Sequence, residues 1–298
     1  MIVKTNVTAG DKVFDVINFL FLTIVMLLVL YPIYFIAIAS VSSPEGISQA
    51  KVWLLPYQVS FDGYRRIFND AMIWTGYLNS IIYVVLGTAI NLAVTLPAGY
   101  VLSRKELIGK KFFMQIFVFT MFFSGGLIPT YLLVKDLGMV DKICAMVIPN
   151  ALEVFNLIIT RTFYSSSFPD ELQDAGKIDG CTNIRFFLSI VLPLSYPVIM
   201  VMLLFYGEYH WNSYFDALIY LRSQKLYPLQ IILRNILTKN EISMMSSVSD
   251  IESIVEQQRV VEQIKYGLFL VSSLPLLIVY PFIQQYFEKG IMIGAVKG

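Results

Sequence analysis

The sequence has few charged residues and almost no histidine or cysteine for its length. Charged residues make up 14% of its 298 positions and hydrophobic residues 57%, with a mean hydropathy of +0.68, whereas soluble domains carry about 25% charged residues. The net charge of +1 gives no basic surface for nucleic acid. Cys144 and Cys181 provide no disulfide framework, and the single histidine, His210, excludes a metal site with several histidine ligands. This composition indicates an integral membrane protein.

Catalytic signatures are missing as well. The chain has no G-x-x-x-x-G-K-[ST] phosphate loop, so ATP hydrolysis on this chain is not expected. It also lacks the H-E-x-x-H motif of metalloproteases and the G-x-S-x-G motif of hydrolases. We therefore predict a protein that is not an enzyme and that holds no cofactor or metal ion of its own.

Six long apolar stretches are present instead, at 13–39, 77–103, 112–134, 143–164, 190–215 and 266–287. Each has about 20 residues or more, enough for a helix to cross roughly 30 Å of hydrocarbon. The first stretch is longer than the apolar part of a signal peptide, so it is predicted to be a span. The predicted fold class is therefore all-α and integral to the membrane, with six transmembrane helices and an interruption of the second at Pro97.

Glycine and proline predict further irregularities in two of these spans. Gly125-Gly126, followed by Pro129, breaks the third span, either as a broken helix on a transport path or as the end of a tilted span. Pro193 and Pro197 lie near the start of the fifth span, where they form a hinge or are simply tolerated in the first helical turns. The sequence leaves both alternatives open.

The orientation in the membrane follows from one short loop. Between the second and third spans lie four positive charges, Arg104, Lys105, Lys110 and Lys111. Short loops rich in lysine and arginine face the cytoplasm, so six spans place both termini there too. The predicted organisation is an N-terminal segment with the first span (1–40), an external loop (41–76), a core of five spans (77–288) and a cytoplasmic tail (289–298). The core includes a cytoplasmic loop at 165–189 and an external loop at 216–265.

The cytoplasmic loop between the fourth and fifth spans has the signals of a short helix. Pro169 suits a first helical position, and Glu171 lies in the first turn, where the helix dipole favours negative charge. Gly180 is a natural end, because glycine tolerates the left-handed conformation that follows many helices. Ala175 and Gly176 are small, so we expect them to let another backbone approach this exposed helix closely.

This loop resembles the cytoplasmic loop of permease subunits of ATP-binding-cassette (ABC) importers, whose pattern is Glu-Ala-Ala, three residues, Gly, then nine residues ending in Ile or Val-Leu-Pro. Here Asp174-Ala175-Gly176, Gly180 and Val191-Leu192-Pro193 occupy those positions, with two departures among the first three. Three other segments are similar to the carbohydrate-importer branch, which includes the maltose permease: 125–138, Trp211-Asn212 and 290–298. The resemblance covers about residues 75–298.

The resemblance implies a type I ABC importer permease that forms half of the translocation pathway for a sugar, in particular an oligosaccharide. It implies a second permease, usually a different chain, two ATP-binding subunits that carry ATP and Mg, an external solute-binding protein, and a bacterial inner (plasma) membrane whose lipid surrounds it. It also assigns coupling to the ATP-binding subunits to six loop residues: Glu171, Asp174, Ala175, Gly176, Asp179 and Gly180.

Five residues are candidates for the translocation path. Glu153 lies within the fourth predicted span and Glu208 within the fifth, where ionisable groups are rare and face a cavity or a partner. Each either lines a solute path or makes a structural hydrogen bond to a neighbouring helix. Tyr209, Trp211 and Asn212 combine aromatic faces with an amide, which suits sugars, or belong to an aromatic belt at the outer interface.

An alternative function from another class uses the same two carboxylates. In an ion-coupled secondary carrier, Glu153 and Glu208 would be proton sites. The polar residues of the second span, Asn79, Ser80 and Asn91, are expected to make hydrogen bonds between helices rather than to bind a ligand, because polar groups in the membrane need partners.

Overall fold

The computed structural model describes residues 9–246, 264–282 and 284, nearly all of them in helices or their connections. The α-helices are α1 (Ala9–Ser40), α2 (Pro44–Ser48), α3 (Asp62–Asn69), α4 (Ala71–Ser103), α5 (Lys110–Phe122), α6 (Leu127–Asp136), α7 (Cys144–Val147), α8 (Val154–Ser167), α9 (Asp170–Ile178), α10 (Asn183–Phe186), α11 (Leu192–Leu194), α12 (Tyr196–Trp211), α13 (Tyr214–Tyr220), α14 (Leu229–Ser246) and α15 (Ile264–Phe282). A π-helical segment, Phe187–Val191, joins α10 to α11. The predicted cytoplasmic tail, 289–298, and residues 247–263 of the predicted external loop lie outside the described residues.

The described residues form two compact units. One comprises 9–70, 237–246 and 264–272, and the other comprises 71–236, 273–282 and 284. In the first unit, the apolar part of α1 is not buried at all within the chain. Its C-terminal end is fixed by the Tyr64 hydroxyl, which hydrogen-bonds the Ser40 hydroxyl over 2.8 Å. An apolar helix that buries none of its span within its own chain is suited to lipid or to a partner chain.

The second unit is organised around α4, which packs against both α8 and α12. This helix runs without interruption from Ala71 to Ser103, so it starts before residue 77 and the predicted interruption at Pro97 is wrong. Proline is tolerated in transmembrane helices because neighbouring groups satisfy the backbone that it frees. As predicted, polar side chains of α4 bond to other elements: the Asn79 amide donates to the Lys225 carbonyl over 2.7 Å, and the Ser80 hydroxyl accepts from the Leu229 N–H over 2.9 Å.

Two predicted spans are bent. α5 and α6 meet at 110°, and the break includes Gly126, whose φ of +87° few residues other than glycine adopt. The predicted break of the third span at Gly125-Gly126 is confirmed. The helical segment Asn183–Leu194 and α12 meet at 79° around Ser195, between Pro193 and Pro197. The proline pair therefore flanks a bend rather than lying in a straight helix.

The fourth predicted span, 143–164, is not the continuous helix that was expected. The chain forms α7, then an irregular stretch at 148–153 that contains Pro149, and then α8. Proline cannot donate the next helical hydrogen bond, and it disfavours the helical conformation of the residue before it. By length and composition, three described helices can cross a membrane, or up to five if each bent pair is one span.

Candidate functional site

The predicted loop helix is α9, and its boundaries follow the sequence signals closely. Pro169 is the residue before the first turn rather than within it, and Asp170 and Glu171 are the acidic residues of that turn. The helix ends at Ile178, and Gly180, with a φ of +70°, follows in the left-handed conformation that commonly terminates helices.

Ion pairs tether α9 to the loop between α4 and α5. The Lys105 ammonium contacts the Asp170 carboxylate over 2.5 Å, and the Lys177 ammonium contacts Glu106 over 2.5 Å. These hydrogen bonds lower the pKa of the Glu106 and Asp170 carboxyls. Because all four groups are largely exposed, water and salt screen the pairs and each contributes little alone.

The inner face of α9 is closed against its own loop. Gly176 is buried, and a Cβ at this position would lie 2.7 Å from Cδ2 of Phe186. The prediction that Gly176 offers space to another protein's backbone is therefore wrong, because the Phe186 ring already occupies that space. Ala175 is exposed and is the small residue that faces outward.

The outward surface of α9 carries the remaining predicted coupling residues. Exposed on it and its C-terminal end are Glu171, Asp174, Ala175, Asp179 and Gly180. Sequence reasoning missed two apolar neighbours, Ile178 and Ile184, which are 86% and 74% exposed. The available signal was a pair of isoleucines within the mainly polar stretch 170–185.

A buried aromatic cluster joins this loop to the long helices. It consists of Tyr100 on α4, Tyr164 on α8, Phe186 on α10 and Val191. The rings of Tyr100 and Tyr164 meet edge to face with centroids 5.9 Å apart, a favoured aromatic geometry. The loop that carries α9 is therefore packed against α4 and α8.

At the other end of α8 lies an open cavity of about 470 Å³. Both candidate carboxylates and one candidate aromatic residue line it, together with residues from the α7–α8 connection: Asn150, Glu153, Phe155, Tyr206, Glu208 and Tyr209. The structure thus brings Glu153 and Glu208 to one cavity, although they lie on different helices.

Each carboxylate is held by an uncharged donor from its own helix. Glu153 is the N-cap of α8, and its side chain accepts from the Asn156 N–H over 2.9 Å. It therefore lies at the start of a helix rather than inside the continuous helix expected at 143–164. Glu208 accepts from the Asn212 amide over 2.7 Å. Among the described residues, neither carboxylate bonds to a neighbouring helix, which was one of the two alternatives for them.

Sequence reasoning missed two polar residues that hold Tyr209, namely Asn150, which lines the cavity, and Asp216. The Tyr209 hydroxyl accepts from the Asn150 amide over 2.5 Å and donates to the Asp216 carboxylate over 2.7 Å. The Tyr206 hydroxyl is buried in a 2.7 Å hydrogen bond with Thr95 of α4. Asp216 was detectable as an acidic residue that directly follows the fifth apolar stretch.

The last two candidates have different surroundings. Trp211 is buried, and its ring packs 5.9 Å from that of Tyr77 on α4. It also lines a second, apolar cavity of about 550 Å³. His210 beside it is fully buried, and its Nε2 lies 2.7 Å from Oδ1 of Asn91. Trp211 and His210 therefore pack the core of this chain, whereas Asn212 is exposed and holds Glu208.

Comparisons with known proteins decide the family. No family model matches the chain. It is 38% identical over 288 residues to the polygalacturonan/rhamnogalacturonan transport system permease protein YtcP of Bacillus subtilis, covering 97% of this chain and 99% of that one. It is 36% identical over 291 residues to the protein LplC of Bacillus subtilis, covering 98% and 97%. The chain belongs to the permease subunits of carbohydrate ABC transporters.

The fold of this permease agrees with its sequence relatives. A crystal structure of a bacterial ABC transporter involved in the import of the acidic polysaccharide alginate contains a chain that matches it with a TM-score of 0.84 and 31% identity. The match covers 94% of the permease and 98% of that chain. The type I ABC importer permease fold is therefore confirmed. The alternative of an ion-coupled secondary carrier is wrong, since an ABC permease is driven by its ATP-binding partners.

Proposed function

We propose that this permease forms half of the translocation pathway of an ATP-driven importer for an oligosaccharide. A second permease chain supplies the other half, two ATP-binding subunits carry ATP and Mg, and an external solute-binding protein delivers the sugar. The relatives support this assignment, since they serve transport of polygalacturonan or rhamnogalacturonan and of alginate. The loop that carries α9 faces the cytoplasm of the bacterial cell, and so do both termini.

One observation carries the proposal: α8 connects the two candidate sites directly. Its N-cap, Glu153, lines the open cavity, and Tyr164 near its C-terminal end lies in the aromatic cluster beneath α9. Fourteen helical residues span about 21 Å. A displacement of the α9 loop therefore reaches the cavity through a single helix.

The mechanism we infer is alternating access driven from α9. ATP binding closes the two ATP-binding subunits and displaces α9 through its outward residues, chiefly Glu171, Asp174 and Ala175. The packed cluster transmits this displacement to α4 and α8, which reshapes the cavity. ATP can shift the permease between states only through contacts that differ between them, and the exposed surface of α9 provides such contacts.

The cavity suits hydroxyl groups better than acidic groups. Tyr209 and Asn150 offer hydrogen-bonding groups, and Glu153 and Glu208 are strong acceptors for sugar hydroxyls. No lysine or arginine is among its described lining residues. Like charges at short range repel, so we propose that the sugar presents neutral rings to this half of the pathway, unlike the acidic polysaccharides for which the relatives are named.

The test is uptake by proteoliposomes that contain the permease with its partner subunits and binding protein. We expect a labelled neutral oligosaccharide to accumulate only when ATP is present on the α9 side. Excess unlabelled neutral oligosaccharide should compete strongly and an oligogalacturonate weakly. Accumulation without ATP, even with the binding protein present, would contradict an ATP-driven importer, whereas stronger competition by the oligogalacturonate would contradict only the neutral-sugar assignment.

A further inference from the structure

A small cationic cavity lies beside α9 and has no part in the proposed sugar path. Its volume is about 230 Å³, below the roughly 300–1,000 Å³ of sites for drug-sized ligands. Four basic side chains and one acidic side chain line it, namely Arg104, Lys105, Lys110, Arg161 and Asp170. They come from the α4–α5 loop and from α5, α8 and α9, so the fold brings together charges that are distant in sequence.

Most of this positive charge is not neutralised by carboxylates. Asp170 is the one acidic residue among the described lining residues, and it is paired with Lys105. Arg161 donates to the Leu102 carbonyl over 3.3 Å, and Lys110 donates to the Ser103 carbonyl over 2.9 Å. A carbonyl satisfies one hydrogen bond but removes no net charge, so both side chains keep their positive charge and further donors.

The remaining basic residue, Arg104, is only weakly neutralised by its neighbours. Its guanidinium lies 4.0 Å from Glu106, whose carboxylate is already bonded to Lys177, and it also stands over the ring of Tyr100 at 5.6 Å. Only 18% of its side chain is exposed. Holding partly buried like charges together is unfavourable unless an anion joins them.

The orientation of the protein in the membrane explains why this loop carries positive charge, but not why the basic side chains surround one cavity. The positive-inside rule is satisfied by charges anywhere in the loop, and Lys111 is an example that is exposed and does not line the cavity. Lys110 and Arg161, in contrast, are half-buried around one space.

We propose that this cavity binds a phosphate group. Planar guanidinium groups such as those of Arg104 and Arg161 match phosphate oxygens, and an ammonium adds charge. The cavity lies where α4 ends, at Ser103, and where α5 begins, at Lys110, and so at the surface from which two apolar helices enter the membrane. Basic pockets in such places receive anionic lipid headgroups, although soluble phosphate has the same chemistry.

The proposal links membrane composition to the coupling loop. Lys105 and Asp170, which tether α9, form part of the cavity wall. A bound phosphate therefore reduces repulsion among the basic residues next to the tether and keeps α9 in place for its ATP-binding partner.

The experiment uses the assembled transporter in nanodiscs of phosphatidylcholine with or without phosphatidylglycerol. Native mass spectrometry counts the phosphatidylglycerol molecules retained after release. We expect Arg161→Gln and Lys110→Gln each to weaken retention about fivefold, the effect of one basic residue near an anionic surface. Lys111→Gln removes an equal charge from the same loop outside the cavity and should leave retention unchanged. Lys110→Gln decides the outcome if Arg161→Gln does not assemble.

A second arm identifies the source of the phosphate. In lipid-free detergent, the thermal stability of the wild-type transporter and of Lys110→Gln is measured with and without inorganic phosphate or glycerol phosphate. Stabilisation of the wild type alone assigns the site to soluble phosphate, and lipid retention without it assigns the site to a headgroup. Equal losses of lipid in Lys110→Gln and Lys111→Gln, together with no stabilisation by soluble phosphate that depends on Lys110, would overturn the proposal.

Discussion

The two ends of α8 hold their charged side chains in opposite ways. At the α9 end, the carboxylates of Glu106 and Asp170 are paired with lysine ammonium groups at exposed positions. At the cavity end, Glu153 and Glu208 are held by a backbone N–H and a side-chain amide, which carry no charge. The first arrangement neutralises charge, and the second positions charge while leaving it available.

This difference matches the role that we propose for each end. Exposed ion pairs are individually weak and can be rearranged, which suits a loop that a partner protein displaces. Uncharged donors fix the direction of a carboxylate without removing its attraction for hydroxyl groups, which suits a surface for solute. Between the two ends, the rigid contact of α4 with α12 depends on buried hydrogen bonds such as that of Asn91 with His210.

The largest expected effect comes from breaking the core that both ends share. Asn91→Leu removes the bonds to the His210 ring and to the Asn150 carbonyl. Each buried group left without a partner costs about 1–3 kcal/mol, so we expect both uptake and attachment of the ATP-binding subunits to fall. The measurement is thermal stability by size exclusion in detergent. Leu78→Ala, at an exposed position on the same helix, serves as the control and should be tolerated. Unchanged stability of Asn91→Leu would show that the two ends do not depend on a common core.

The next effect separates the inner face of α9 from its outer face. Gly176→Ala places a methyl group against the Phe186 ring, an overpacking that costs about 1–3 kcal/mol. We therefore expect Gly176→Ala to weaken the coupling of ATP hydrolysis to the permease, measured as ATPase stimulation by loaded binding protein. Adding Phe186→Leu to the same chain should recover most of that stimulation. Ala175→Trp changes an exposed position, so it should block docking of the ATP-binding subunit and Phe186→Leu should not rescue it. Rescue of both variants by Phe186→Leu would mean that the two faces are not distinct.

The sequence predicted those features that local chemistry determines. The ends of α9 follow from proline, acidic residues and glycine at fixed positions, and the break at Gly125-Gly126 follows from residues that disfavour a helix. The polar residues of α4, such as Asn79 and Ser80, were correctly expected to bond between helices, because the membrane offers no water to satisfy them.

Features that depend on contacts between distant segments were not predictable. Pro97 lies inside a continuous helix, whereas Pro149 lies in a break, and sequence does not distinguish them. The burial of Gly176 depends on Phe186, which comes from the next helix. Likewise, Glu153 and Glu208 share a cavity only because the break after α7 brings the start of α8 beside α12.

A smaller effect compares a single carboxylate at each end. Glu208→Gln keeps the size of the side chain but removes the charge that lines the cavity. We expect transport to fall about tenfold, equivalent to losing about 1.4 kcal/mol of favourable interaction, with normal attachment of the ATP-binding subunits. Glu106→Gln at the loop end should lower transport less than twofold, because its ion pair is exposed. Uptake kinetics in proteoliposomes measure both variants, and a larger loss for Glu106→Gln would reverse the comparison.

The smallest effect is the pH dependence of the α9 tether. The pKa values of Glu106 and Asp170 are lowered by their lysine partners, so the stabilisation is fully present above the ordinary carboxyl pKa of about 4. It is lost as the pH falls through the lowered values in the folded protein. A spin label at Ala175→Cys in a variant without native cysteines should therefore show unchanged mobility from about pH 8 to pH 6 and higher mobility only below about pH 4. In the double variant Glu106→Gln with Asp170→Asn, the spin label should be mobile at every pH and show no change in mobility near pH 4. A step near neutral pH in the wild type would instead mean that groups other than these two carboxylates hold the loop.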